Sequence, residues 1–343
     1  MVYGLVMTLR NALYDRGILN AWHSPVPVVS VGNITTGGTG KTPLVDWIVK
    51  FYQTSGIKTA IISRGYGRKT KGVQLVSDGR NVLLGSRDAG DETVMLASRN
   101  PGSIVIVAEQ RQAGVQFLMR EFADRLPDVI VLDDAFQHRK IARDLDIVVV
   151  NSGEPLDGAA MLPEGRLREP LQGFARADLI ILGKITDERK AAAMLATLRN
   201  TGKPVLRSKI RPGMLIEAGK SAGTPDSGTK MGKCRALAFA GIGAPGGFMH
   251  SLQQAGIDVV ASKFFRDHEP YNEASAQTIV SESARQQLVP VTTEKDWFRI
   301  KDEPRLAELL VNAGCRYLAI EPEFPDGTEM LEKMLLSLVT PRS

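Results

Sequence analysis

The sequence predicts an α/β fold: a largely parallel sheet with flanking helices, followed by a second, smaller α/β domain. Three observations predict it. First, short apolar runs recur at 28–32, 58–63, 103–108, 128–133, 145–150 and 178–182, with helix-length polar segments such as 41–55 and 109–125 between several of them. Runs that are apolar throughout suit strands buried on both faces, and helical crossovers make such strands parallel. Second, the run at 28–32 leads straight into a glycine-rich loop, so that residues 28–42 read VVSVGNITTGGTGKT. Third, residues 209–235 are rich in Gly, Ser, Lys and Pro and read as a connector. Beyond it, strands are expected at 236–242, 257–264, 289–293 and 317–320, with helices at 246–255, 272–287, 303–313 and 327–339. The expected division is an N-terminal amphipathic helical segment at 1–25, a first domain at 26–208, the connector, and a second domain at 236–343. The last helix is free to return to either domain.

The glycine loop makes the first domain P-loop NTPase-like. Gly37, Gly38 and Gly40 allow backbone N–H groups to turn inward, Lys41 can reach terminal phosphates, and Thr42 can ligate Mg²⁺. A helix beginning at Lys41 places its N-terminal dipole under the anion, and Pro43 is tolerated in that first turn. Thr35, Thr36 and Thr39 complete the candidate nucleotide-binding set. Thr35 stands where the generic pattern has its first glycine. A phosphate loop also needs an acidic strand end, and Val129-Ile130-Val131-Leu132-Asp133-Asp134 delivers two carboxylates where α/β sheets bind ligands. Asp133 or Asp134 would hold the metal with Thr42; the pattern leaves open which. The lysine of partition-type ATPases would fall at Thr36 and is absent. Thr293-Glu294-Lys295-Asp296 lacks the spacing of a guanine-reading Asn-Lys-x-Asp, so the nucleotide is expected to be ATP.

Composition bounds the function. The chain has 343 residues, 43% hydrophobic and 24% charged, an ordinary balance for a globular protein long enough for two domains, and its net charge of +5 suits an anionic ligand or an anionic membrane surface. With 6% aromatic residues and no polybasic tail, nucleic acid is not expected as a partner. Cys234 and Cys315 have no C-x-x-C spacing, which favours a reducing compartment and disfavours zinc. Residues 2–9 carry no charge, but Arg10, Asp15 and Arg16 follow, so the segment is too short to span a membrane. On a helix, Val2, Val6, Leu9 and Leu13 form one stripe, which fits a lipid interface or a packed domain face equally well.

Beyond the loop, further blocks follow in order: Ser63-Arg64-Gly65-Tyr66-Gly67-Arg68, Gly90-Asp91-Glu92, Asp133-Asp134-Ala135-Phe136-Gln137-His138, and Gly165-Arg166-Leu167-Arg168-Glu169-Pro170. Gly241-Ile242-Gly243-Ala244-Pro245, Asp267-His268 and Thr293-Glu294-Lys295-Asp296 complete the series. In this combination, across about residues 10–300, the sequence resembles the tetraacyldisaccharide 4′-kinases, a family that itself carries Thr at the Thr35 position. The resemblance implies ATP- and Mg²⁺-dependent phosphorylation of an acylated glucosamine disaccharide 1-phosphate on its 4′-hydroxyl. The product would be lipid IVA, made peripherally at the cytoplasmic face of the bacterial inner membrane with no obligate protein partner. It implies a catalytic Asp91–His268 pair beside Lys41 and Asp134, and substrate or metal contacts from Arg168 and Glu169, whose other reading is a surface ion pair. His138 is either support for the metal end or a structural histidine. Arg64 and Arg68, in a basic run with Lys69 and Lys71, are candidates for the 1-phosphate or lipid headgroups, or else solvate a loop. Thr293–Asp296 matches a family block to which no chemistry is assigned. The sequence departs from the family at Thr93, where Pro is common, at Gly246-Gly247, and in a short N-terminal segment. A nucleotide-driven switch or metal-insertion chaperone, and a soluble small-molecule kinase, are the competing classes; neither would yield a phosphorylated lipid.

Overall fold

A computed structural model of the protein describes residues 2–220, 234–243, 245–266, 269 and 271–339. The chain opens with helix α1 (Val2–Asp15). There follow β1 (Val28–Gly32), α2 (Lys41–Thr54), β2 (Thr59–Ser63), β3 (Gln74–Asp78), α3 (Ser86–Ala89), α4 (Asp91–Arg99) and β4 (Ile104–Val107). Next come α5 (Arg111–Glu121), β5 (Val129–Asp133), β6 (Leu145–Asn151), β7 (Leu179–Gly183), α6 (Glu188–Arg199) and β8 (Val205–Arg207). These strands form one eight-stranded sheet in the order β3-β4-β2-β5-β1-β6-β7-β8, parallel except for the antiparallel edge strand β3. Every residue of β1, β2, β4, β5 and β7 is buried, as their predominantly apolar sequences require.

The second sheet is built from β9 (Lys209–Glu217), β10 (Arg235–Ala240), α7 (Pro245–Gln254), β11 (Asp258–Phe264), α8 (Glu273–Gln286), β12 (Val289–Thr293), α9 (Glu294–Ile300), α10 (Pro304–Asn312) and β13 (Arg316–Glu323). Its order is β11-β10-β12-β13-β9, with β9 antiparallel to β13. Helix α11 (Thr328–Leu336) is the last described element. Local chemistry fixes the helix starts: Asn272 and Ser275 form a capping box under α8, and Pro304 opens α10.

One expectation is corrected here. Residues 209–217, read as connector, are the nine-residue strand β9, and only Ser208 separates it from β8. The strand is a half-exposed edge that contains Pro212 and Gly213, so it lacks the continuous apolar run of a central strand. The rest of the proposed connector, 221–233, lies outside the described residues.

Helix α2 buries Val45, Ile48, Val49 and Tyr52 against the first sheet, each contributing about 1.5–3 kcal/mol of hydrophobic stabilisation. That core continues without a break into Trp297, Tyr317, Leu331 and Leu335. The Tyr52 hydroxyl donates to the Leu335 carbonyl at 2.9 Å, so the last helix returns to α2 of the first unit. Helix α1 lies on the same unit: Met7 and Asn11 face inward, while Leu5, Val6 and Leu9 are 71%, 56% and 59% exposed. One face of α1 therefore packs on its own domain and leaves the other bare.

Candidate active site

The phosphate loop lies between β1 and α2. Gly32 ends the strand against Phe136, where an added Cβ would come within 2.5 Å of the Phe136 Cβ, so no side chain fits. Gly37 and Gly40 take φ values of +109° and +96°, the left-handed region glycine tolerates. Gly40 caps α2 with no side-chain hydrogen bond, which leaves the first-turn N–H groups to an anion. Lys41 Nζ sits 3.5 Å from Asp134 Oδ1, and the Thr42 hydroxyl donates to Glu92 Oε2 at 3.4 Å. Thr39 is buried with an unpartnered hydroxyl. Thr35 and Thr36 differ from expectation. The Thr36 N–H donates to the Arg166 carbonyl at 2.7 Å, and Thr35 bridges Leu167, so this part of the loop is stapled to the 166–168 segment rather than free to cradle phosphate.

The two strand-end carboxylates are held differently. Asp133 accepts from the Ser63 hydroxyl at 2.8 Å, and burial, together with Asp134 and Glu92, pushes it up to about 6. Asp134, at φ +48°, accepts both Arg168 Nη1 contacts, at 2.7 and 2.9 Å. Burial would raise it, but Lys41 and Arg168 prevail and bring it down to about 2. Arg111 is fully buried beneath the pair and donates to the Asp133 and Asp134 carbonyls at 2.8 and 3.1 Å, which fixes the turn. Burial, then the cations Arg111 and Arg64, bring His138 down to about 3, so its ring is neutral at physiological pH.

Asp91 and Glu92 open helix α4 and face helix α9. Arg299 Nη2 donates to Asp91 Oδ2 at 3.2 Å, and Lys295 Nζ to Glu92 Oε1 at 2.9 Å. His268, expected to pair with Asp91, lies outside the described residues. Glu169 is a correction: it is fully buried and accepts from Asn11, Gln137 and Arg176 at 3.1, 2.7 and 2.8 Å, so it joins α1 to the site instead of reaching a substrate. Gln137 also donates to the Asn33 carbonyl at 2.8 Å, which carries that junction to the base of the phosphate loop. Arg64 is exposed, as a headgroup contact requires. Arg68, in contrast, is tied to Glu109 and to the Gly72 carbonyl, both at 2.6 Å, within its own loop.

Several residues of the site escaped sequence reading as individuals. Ser63 and Glu92 were visible only as members of motif blocks, and Arg299 lies outside every block. Lys184 follows β7 at φ +55°, its Nζ 3.4 Å from where a Gly38 Cβ would stand. Burial, then Lys41 and Lys295, push this amine down against the pull of Glu154. Only the expectation that ligands gather at the C-terminal edge of a parallel sheet could have pointed to it.

Glycine loop, lysine and acidic strand end thus meet at one sheet edge, and they define a P-loop nucleotide-binding protein. Comparison with known proteins narrows the class. The profile described as tetraacyldisaccharide-1-P 4′-kinase matches residues 1–340. Tetraacyldisaccharide 4′-kinase of Chlorobaculum parvum is 72% identical, over 98% of this chain and 92% of its own. That of Chlorobaculum tepidum is 70% identical, over 98% and 95%. The crystal structure of LpxK from Aquifex aeolicus in complex with ATP superposes with a TM-score of 0.77 at 30% identity, covering 98% of this chain and 96% of that one. The chain belongs to the tetraacyldisaccharide 4′-kinase family.

Proposed function

We infer that this chain transfers the γ-phosphoryl group of ATP to the 4′-hydroxyl of tetraacyldisaccharide 1-phosphate, giving lipid IVA. The observation that carries the reading is the convergence of Lys41, Thr42 and the Asp133–Asp134 strand end in a chain matched to this family along its length. In the reaction the 4′-oxygen bonds to the γ-phosphorus, the bridge to the β-phosphate breaks, and ADP leaves. Such a transfer depends on positioning and charge neutralisation, which Lys41 and the N–H groups of the loop supply. The 4′-hydroxyl proton passes to the Asp91–His268 pair, a step worth about 10²–10⁴-fold.

The site suits Mg²⁺. Its donors are hard oxygens from Thr42, Asp133 and Glu92, and no cluster of three His, Cys, Asp or Glu forms a ready-made cage among the described residues. Mg²⁺ takes few protein ligands and shares its shell with phosphates and water, so Thr42 and Asp133 would hold it and it would draw charge from the phosphates. Asp134 is left to order Lys41 and Arg168. Among the described residues no helix is long and apolar enough to cross a membrane. The bare Leu5, Val6 and Leu9 face of α1, with exposed Ile18, suits peripheral insertion beside anionic headgroups, with Arg64 near the acceptor phosphate. The cytoplasmic face of the inner membrane, where ATP is available, is the matching location.

Purified protein with labelled ATP, Mg²⁺ and the disaccharide 1-phosphate in detergent is expected to yield labelled lipid. ATP hydrolysis without lipid labelling would refute the reading and favour a nucleotide switch. Asp91→Ala and His268→Ala are each expected to lower turnover far more than ATP affinity.

A further inference from the structure

Helix α9 begins in the Thr293–Asp296 block, the motif left without a role. The Asp296 N–H donates to the Thr293 hydroxyl at 3.1 Å, and that hydroxyl donates to Asp296 Oδ2 at 2.6 Å. The Gly241 N–H reaches the same oxygen at 3.2 Å. Asp296 is therefore a fully buried, fixed carboxylate. Its other oxygen lies 3.4 Å from Arg299 Nη1, one turn further along the helix. The second nitrogen of that guanidinium donates to Asp91. A side chain at Gly241 would meet Arg299 Nη1, Asp296 Oδ1 and the Tyr271 hydroxyl, each at 3.4 Å. The backbone turn there thus lies in van der Waals reach of the guanidinium and its carboxylate partner.

The same helix is fixed against α3 and α4 at further points. Arg99 donates to Glu294 at 2.8 Å, and the Ser86 hydroxyl to the Phe298 carbonyl at 2.7 Å. Lys295 pairs with Glu92, whose other oxygen accepts from Thr42 of the phosphate loop. Along one short helix, Glu294, Lys295 and Arg299 thus each meet a partner on α4, and two of those partners are Asp91 and Glu92. A polyanion entering the loop faces these two carboxylates, and each arrives already matched by a cation from the second sheet.

We propose that α9 is the positioning element of the site: Arg299, braced on Asp296, orients Asp91, and Lys295 neutralises Glu92 beside Thr42. The proposal rests on the reading of Asp91 as the acceptor-side base. Neither Arg299 nor Lys295 is assigned a contact with substrate. A lysine at 299 keeps the charge but not the planar fork that spans two carboxylates.

The test uses the full-length enzyme in detergent, with kcat, KM for ATP and thermal unfolding measured for each variant. Arg299→Gln is expected to lower kcat about 10–100-fold, the range typical of an orienting partner, while KM for ATP changes less than about threefold. Arg299→Lys should fall between it and the parent. In a double-mutant cycle, Arg299→Gln should add no further loss to Asp91→Asn, because its effect runs through that carboxylate. An undiminished loss in the Asp91→Asn background, or an unchanged kcat, overturns the proposal. Should Arg299→Gln fail to fold, Arg299→Lys enters the same cycle with the same criteria. Lys295→Met should raise KM for ATP about tenfold with a smaller change in kcat, and an unchanged KM overturns the Glu92 half. Wild-type turnover in Asp91→Asn alone would remove the base assignment itself, an outcome distinct from failure of the cycle.

Discussion

Asp133 and Asp134 are neighbours in the chain with opposite electrostatic fates. One is buried with a single hydroxyl donor and raised, the other ion-paired and lowered. The Asp-Asp pair and its strand were legible in the sequence; the division of labour was not, because it depends on Arg168 and Ser63 arriving from other segments. Lys41→Ala is expected to reduce turnover at least about 100-fold, as loss of a preorganised charge on the phosphates should, with unchanged unfolding temperature as the control. A second carboxylate permits a pH test away from the site. Asp146, buried with Arg143 Nε 3.5 Å from Oδ2, is raised by burial to about 6. A carboxyl raised on folding binds its proton more tightly in the native state. Its favourable contribution is therefore full below the ordinary carboxylate value near 4 and is lost as pH rises through about 6. Asp146→Asn should flatten the fall of unfolding temperature across that window; an unaltered profile would refute the assignment.

At the scale of elements, the six strands of the first sheet that carry apolar runs agree with the expected positions to within a residue at each end. The missed strands, β3, β8 and β9, stand at sheet edges. An edge strand is paired on one side only and is half solvated, so selection does not demand a continuous apolar run there. The helices α4 and α9 were visible only as motif blocks, because their charged residues serve contacts between units. Arg99 shows the cost of such a contact: it is buried on Asp46 at 2.9 Å and on Glu294 at 2.8 Å. Arg99→Ala leaves the buried Glu294 without its cation, while Asp46 keeps Lys50 and Asn100, and is expected to cost about 3–5 kcal/mol in denaturant unfolding, far more than an exposed ion pair. Helix α1 invites a complementary test. Replacing Leu5, Val6 and Leu9 together with Ser should weaken binding to anionic vesicles while leaving soluble ATP binding intact. Equal vesicle binding by the variant would refute the interfacial role.

Across the whole molecule, the hydrophobic core does not respect the two sheets. It runs from Val45 and Ile48 through Tyr52 to Leu331 and Leu335, so Ile48→Ala should destabilise by about 2–5 kcal/mol. Tyr52→Phe, which leaves the Leu335 carbonyl only the longer Leu338 N–H at 3.3 Å, should cost about 1 kcal/mol. The sequence left the destination of the last helix open because an amphipathic stripe says that a face is buried but not against what. One consequence concerns synthesis. The chain leaves the first sheet after Arg207 and enters β9 at Lys209, which is paired with Glu323 at the exit of β13. The second unit is thus a closed excursion whose mouth is zipped by its own first and last strands. Helix α11, which completes the packing of α2, is synthesised only after the second unit. The nucleotide-binding sheet therefore keeps α2 partly bare until the intervening unit has been made, a departure from the N-terminal-first order by which multidomain chains usually mature.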